Sequence, residues 1–266
     1  MIEAIVLGAV QGVAEWLPVS SEAVIILVKN NFFSLSGSLT DDISYALFLH
    51  LGTLLSALVF YWKQVRHLLF SLFRFRKQDD ETKSFLWFIM IVTLVSGLLG
   101  ISLLSVVKHY DWVFQNEQVV NFVVAGFLLI TALFLYLGER SHRADRQHPT
   151  LRDGVVVGLF QGLAIIPGVS RSGSTVAGMG ILGFEKLWSL QASFILSIPI
   201  VFLANIVMNY HEIGLFSVEK GVAIVVAFVV GYATIAWLVR IAQLIRFSFF
   251  VLFFALVVAA FSFFFL

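Results

Sequence analysis

Long apolar stretches alternate with short polar ones along this chain, at a spacing that suits a membrane better than a water-soluble core. Six runs, Ile43–Trp62, Ser84–Val107, Val119–Gly138, Trp188–Met208, Gly221–Val239 and Ser248–Leu266, reach or approach the ~20 residues that carry a helix across a bilayer. Two regions break the pattern. Ile2–Val28 is interrupted by Gln11, Glu15, Pro18, Ser20, Ser21 and Glu22, and Gly154–Phe184 by Gln161, Pro167 and a polar run ending at Thr175. Each predicts two short helices with a break between them. Broken backbone at membrane depth is tolerated inside protein or beside a water-filled cavity, so both regions are expected to be re-entrant hairpins.

The two broken regions resemble each other. At an offset of 150, Val6, Gly8, Gln11, Gly12, Ala14, Val19 and Ser20 match Val156, Gly158, Gln161, Gly162, Ala164, Val169 and Ser170, seven identities in fifteen positions. Shared apolar composition does not readily place the Gln-Gly and Val-Ser pairs in register. The chain therefore reads as two copies of one unit, residues 1–138 and 139–266, each a hairpin followed by three spans. An odd number of spans per copy makes the copies inverted, an architecture in which broken helices meet near the bilayer midplane. The fold class expected is all-α, polytopic, with six transmembrane helices and two re-entrant hairpins whose polar breaks meet, bringing Glu15 and Ser21 near Arg171.

Composition agrees. The 266 residues are 60% hydrophobic and 12% charged, about half the charged share of a soluble domain. The net charge of +1 favours neither nucleic acid nor an acidic partner. There is no cysteine, which removes disulfides, thiolate metal sites and cysteine nucleophiles. The first residues lack the basic flank of a cleaved signal peptide, so this segment is expected in the mature protein. Thirteen of the 17 Lys and Arg residues fall on one side of the expected spans. They include Lys63, Arg66, Arg74, Arg76, Lys77 and Lys83 in the loop after the first span, and Arg140, Arg143, Arg146 and Arg152 before the second hairpin. Lys186, Arg240 and Arg246 complete that side, which is expected to be cytoplasmic. Trp62, Trp87, Trp112 and Trp188 near span ends read as interfacial anchors. The sequence leaves homo-oligomerisation open.

The densest candidate chemistry is Pro167-Gly168-Val169-Ser170-Arg171-Ser172-Gly173-Ser174-Thr175. An arginine at membrane depth normally faces a partner or a wet cavity. Its planar fork matches phosphate oxygens, and Ser170, Ser172, Ser174 and Thr175 are donors. Gly168 and Gly173 let backbone N–H groups approach an anion, with a helix starting near Gly173 turning its positive end toward it. The alternative is a polar patch for close helix packing. In the first hairpin Gln11 and Glu15 share a helix face, Pro18 ends that helix, and Ser20-Ser21-Glu22 open the next. Glu15 beside Arg171 would be an ionised acid–base group, or half of an ion pair that only ties the copies together. Ser20 and Ser21 are candidates for nucleophile, phosphate donor or N-cap. His50 reads equally as a packing histidine or a proton carrier, while His67, His109, His142, His148 and His211 fall in loops. No metal-site spacing is present.

Pro167 through Thr175 resembles the Pro-Gly-x-Ser-Arg-Ser-x-x-Thr signature of the undecaprenyl-diphosphate phosphatase family, also known through bacitracin resistance. Gln11-Gly12-Val13-Ala14-Glu15-Trp16-Leu17-Pro18-Val19-Ser20-Ser21 resembles that family's other signature, and the separation of the two fits as well. The resemblance implies hydrolysis of a polyprenyl diphosphate to the monophosphate, recycling the lipid carrier of cell-envelope glycan synthesis at the plasma (inner) membrane, with a site opening to the outer face. It implies Glu15 as the acid–base group, Gln11 as its polar companion and Ser21 as nucleophile or polarised hydroxyl. Arg171 would hold phosphate, assisted by Ser170, Ser172 and Thr175. A divalent cation, Mg2+ or Ca2+, and no organic cofactor, would support activity. One departure stands out. Where the family often has a histidine after Ser-Ser-Thr-Gly, this chain has Val24, so Glu22 or His50 is expected to substitute, unless the histidine is dispensable or the reaction has changed. A transporter or flippase of a phosphorylated polyprenyl carrier is the alternative function.

Overall fold

A computed structural model of the chain describes residues 1–33, 39–109, 117–140, 145–209 and 217–265. Trp112, His142, Arg143, His211 and Leu266 lie outside the described residues. Among those described, the chain forms eleven α-helices and one isolated bridge, between Arg146 and Phe184. It is an all-α polytopic membrane protein. The first hairpin is α1 (Ile2–Ala14) and α2 (Ser21–Val28), followed by α3 (Leu39–Phe60), α4 (Trp62–Phe73), α5 (Asp80–His109) and α6 (Glu117–Glu139). The second is α7 (Leu151–Gly162) and α8 (Arg171–Ile181), followed by α9 (Lys186–Asn209), α10 (Val218–Ile241) and α11 (Phe247–Phe265).

Helix starts follow capping chemistry. Ser20, Ser170 and Ser217 accept the N–H of Ala23, Gly173 and Lys220, satisfying donors that a helix start otherwise leaves unpaired. Thr150 and Asp153 form a reciprocal capping box on α7. Asp79 accepts the Thr82 N–H at 2.6 Å at the start of α5, and that bond holds its carboxyl below the ordinary range. α8 therefore starts at Arg171, two residues before the expected Gly173, because Ser170 is the cap.

Helices α5, α6, α9 and α10 are each long and apolar enough to cross a membrane, and α3 with α4 makes a fifth if that bent pair is one span. The expected sixth span, Ser248–Leu266, falls in α11, a shorter apolar helix over Phe247–Phe263. Lys63 and Arg66, expected in a loop, stand on α4, which bends from α3 by 85° at Tyr61. With Phe70 and Phe73 exposed beside its cations, α4 has the two-faced character of a helix lying along a membrane surface. Lys83, expected in the same loop, stands in the first turn of α5. Trp188 is packed, its ring stacked on Phe184 at 4.7 Å. Arg146 grips Asp153 through two bonds of 3.1 and 2.5 Å and covers Phe184, fastening α7's start to the end of α8.

Lipid supplies no hydrophobic drive between helices, so close approach relies on small residues. A Cβ on Gly8 would sit 2.5 Å from the Ala223 carbonyl of α10, and one on Gly12 would sit 2.8 Å from the Gly231 nitrogen. At Gly158 and Gly162, their counterparts at offset 150, an added Cβ would sit 2.7 Å from Val95 and 2.9 Å from Leu99 of α5. Each hairpin thus packs on a span of the other half. They enter from opposite ends of the bundle. The Met1 ammonium bonds Glu219 at the start of α10, whereas α7 starts beside the end of α8, where Gly180 abuts Gly138 of α6. Gly8→Ala is expected to lose roughly 1–3 kcal/mol, as over-packing does. Gly126→Ala, with nothing within 4 Å of its added Cβ, should hold or raise the midpoint. Thermal unfolding in detergent compares them, and equal midpoints would contradict the packing described.

Candidate active site

The two hairpin tips meet inside the bundle. The Ser172 hydroxyl donates to the Leu17 carbonyl at 2.8 Å, and the Gly168 N–H donates to Ser20 Oγ at 3.3 Å. Gly168 can make this approach because its φ is +99°, and a Cβ there would also strike the Val124 carbonyl at 2.8 Å. Pro18 and Pro167 break the two tips, and the helices that follow point their N-termini toward the same space.

Glu15 is the centre of that space. It is 5% exposed, and four side chains from four helices converge on it. Arg171 Nη2 of α8 donates to Oε1. On Oε2, Gln11 Nε2 of α1 donates at 3.0 Å, Ser21 Oγ of α2 donates at 2.8 Å, and His50 Nε2 of α3 lies at 2.9 Å. His50 Nε2 is also 3.3 Å from Ser21 Oγ, and its Nδ1 is 2.6 Å from the Ala46 carbonyl, so the ring is held between two acceptors. The second arm of Arg171, Nη1, donates to the Ser193 carbonyl at 3.1 Å. Glu22 is buried too, and its Oε2 has no hydrogen-bond partner. Buried polar atoms are almost always paired, so this oxygen marks a place where something polar belongs.

Two spaces join at this cluster. A polar cavity of about 30 Å³ is lined by Glu15, Ser20, Ser21, Ser170 and Ser172 among others. An apolar groove of about 280 Å³ runs between α5 and α9, past Gly97, Gly100, Ile101, Ala204 and Val207. Glu22, His50 and Arg171 line both. A carboxylate that accepts from a serine hydroxyl can take its proton. A guanidinium beside it can stabilise charge on phosphoryl oxygens. The arrangement is equipped for phosphoryl transfer at the head of an amphiphile.

Not every residue of the arginine motif faces that space. Gly168, Gly173, Ser174 and Thr175 lie behind the cavity wall. The Gly173 N–H is spent on the Ser170 cap, and Ser174 Oγ is buried without a partner. Thr175 Oγ1 donates to the Arg171 carbonyl at 2.9 Å and meets Ser193 Oγ at 2.6 Å. These four build the turn that aims Arg171. Ser193 went unnoticed in the sequence, although Ser189, Ser193 and Ser197 repeat every four residues within an apolar run and are all buried. That spacing puts three hydroxyls on one helix face.

Residues 4–261 match the family model described as Bacitracin resistance protein BacA. The chain is 35% identical over 254 residues to a protein of Methanococcoides burtonii named undecaprenyl-diphosphatase, an alignment covering 93% of each. It is 37% identical over 252 residues to a Haloarcula marismortui protein of the same name, covering 93% of this chain and 92% of the relative. A Myxococcus xanthus protein, also so named, is 33% identical over 250 residues, covering 90% and 80%.

Removing one member of a buried ion pair strands the other and costs about 3–5 kcal/mol. Glu15→Ala and Arg171→Ala should therefore each lower the unfolding midpoint markedly, while the double variant loses clearly less than the two together. Additive losses in this double-mutant cycle would mean the pair is not coupled.

Proposed function

The chain belongs to the bacitracin resistance protein BacA family, and from that membership we propose that it is an integral-membrane phosphatase that converts undecaprenyl diphosphate to the monophosphate and phosphate. The observation that carries this reading is the position of Glu22, His50 and Arg171, which border both a polar cavity and an apolar groove. A substrate with a diphosphate head and a long prenyl tail matches that pairing. The 30 Å³ cavity holds about one water molecule, so the head binds where cavity and groove join, and the tail follows the groove between α5 and α9 toward lipid. The relatives carry the name of an enzyme, and no feature of the site calls for a transporter.

In the reaction we propose, Glu15 takes the proton of Ser21 as Oγ attacks the terminal phosphorus. The bond from that phosphorus to the bridging oxygen breaks, and the prenyl monophosphate leaves with the bonding pair. Glu15 passes the serine proton to the departing monophosphate, then takes one from the water that attacks the phosphoserine. It returns this proton to Ser21 Oγ as the phosphoester bond breaks, which releases phosphate and restores Ser21. Arg171 moves from Glu15 onto the phosphoryl oxygens as charge spreads over them. Gln11 keeps Glu15 oriented, and Ser20, Ser170 and Ser172 shape the mouth. Val24 packs against the core, and His50 stands at the reacting hydroxyl instead.

Glu22's unpartnered oxygen suits a hard divalent cation, which binds through one or two carboxylates plus substrate phosphate oxygens. Among the described residues, no group of three or more His, Cys, Asp or Glu could hold a metal, so Mg2+ or Ca2+ would depend on the substrate for its other ligands. Such a cation supplies charge neutralisation for the diphosphate. We further read the chain as an inverted duplication of residues 1–138 and 139–266. Support comes from the caps at Ser20 and Ser170, the glycine pairs at offset 150, and Gln11 and Gln161, each bonded to a span hydroxyl, Thr53 and Ser96. The basic side then faces the cytoplasm of a plasma membrane, and the site opens to the outer face, where it would recycle the carrier of envelope glycans.

Phosphate release from undecaprenyl diphosphate by purified protein tests the assignment. Glu15→Ala and Ser21→Ala should lower turnover by roughly 10²–10⁴, and Arg171→Lys, which loses the fork, by about 10² or more. Turnover near that of the parent in any of them removes that residue from its role. Gly100→Phe should raise KM for undecaprenyl diphosphate while sparing farnesyl diphosphate. An equal effect on both would place the tail elsewhere.

A further inference from the structure

The end of the bundle away from the reaction site holds a second charged cavity that the chemistry above does not use. It has a volume of about 600 Å³ and is lined by Glu139, Arg140, Lys186, Gln243, Arg246 and Phe247 among others, where α6, α8 and α9 meet the turn between α10 and α11. Gly180 of α8 lines it, whereas Arg171 begins that helix, so the two sites are separated by about 14 Å of helical rise.

Its charge is unbalanced. Three cations face one carboxylate, and that carboxylate, Glu139, is engaged by the Ser248 N–H at 3.3 Å and the Ser248 hydroxyl at 2.5 Å. Among the described residues no carboxylate lies within 4 Å of Arg140, Lys186 or Arg246. Each cation instead rests over an aromatic ring. Lys186 lies 4.7 Å from the Phe247 centroid, Arg140 lies 4.8 Å from Tyr136 and Arg246 lies 5.9 Å from Phe249. Lys186 Nζ also donates to the Ile245 carbonyl, which fixes its direction. Rings hold these heads in place while leaving N–H groups free for an anion. The rim is apolar and open, with Leu244 84% and Phe249 53% exposed.

We propose that this cavity is a headgroup site for an acidic phospholipid of the leaflet on the basic side. Lys186, Arg246 and Arg140 take the phosphodiester, and the acyl chains run over Phe249 and Leu244. Basic pockets between helix ends suit anionic headgroups. A soluble phosphate would gain nothing from the exposed apolar rim, which favours a ligand with both parts.

Binding of phosphatidylglycerol to the purified full chain, followed by native mass spectrometry and titration in detergent, tests this. Phosphatidylglycerol should bind at least tenfold more tightly than phosphatidylcholine, and glycerol 3-phosphate should not displace it. Lys186→Gln with Arg246→Gln should weaken binding about 25-fold, from the usual contribution of each cation, with phosphate release in detergent unchanged. Lys63→Gln with Arg66→Gln on α4, an equal loss of charge elsewhere, should change it less than about twofold. Should the first pair prevent folding, Arg140→Gln alone is expected to weaken binding about fivefold. Equal losses from the two double variants, equal binding of phosphatidylcholine, full displacement by glycerol 3-phosphate, or no loss in Arg140→Gln would each overturn the proposal.

Discussion

A buried carboxylate and the largely buried guanidinium paired with it constrain everything else in this molecule. Neither Glu15 nor Arg171 can be left alone in an apolar interior, and each sits on a hairpin too short to cross the bilayer. The pair is satisfied only if two tips from opposite ends of the bundle meet. The broken backbone, the glycine contacts of α1 with α10 and of α7 with α5, and the serine caps can all be understood as the means of holding that meeting. Gly8, Gly12, Gly158 and Gly162 let the hairpins seat deeply enough. Ser172 and Ser20 then tie tip to tip through backbone groups.

The same constraint produces the chemistry. Once Arg171 is paired with Glu15, the remaining carboxylate oxygen collects Gln11, Ser21 and His50. A serine hydroxyl thereby sits beside a base and a cation, at the edge of a groove open to lipid. Substrate phosphate can compete with Glu15 for the arginine, which couples binding of the head to freeing the carboxylate for proton transfer. In the proposed reaction, the ion pair that holds the two tips together is also the one that serves the chemistry.

Much of this was legible in the sequence. Polar interruptions of apolar runs located both hairpins, the spacing of Gln11 and Glu15 put them on one face, and the offset matches hinted that the tips belong together. The rest was hidden for identifiable reasons. α4 is amphipathic over twelve residues, so a search for bilayer-length apolar runs averages its cations with its leucines and reads a loop. Ser193 disappears in an apolar span unless the four-residue hydroxyl period is noticed. His50 lies in a helix that is apolar on most sides, and nothing local says which face turns toward Glu15. Gly168, Gly173 and Thr175 carry the motif's composition, yet their polar groups go to Ser20, to the Ser170 cap and to the Arg171 carbonyl, because a helix start must satisfy its own N–H groups before it can offer any to a ligand.

Two photo-reactive analogues of the substrate, one carrying the reactive group on the diphosphate and the other at the far end of the prenyl chain, test the central claim directly when the labelled peptides are mapped. The account predicts that the head probe labels residues 15–22 and 164–172, and that the tail probe labels the walls of the α5–α9 groove. Head labelling anywhere outside the two tips would contradict it.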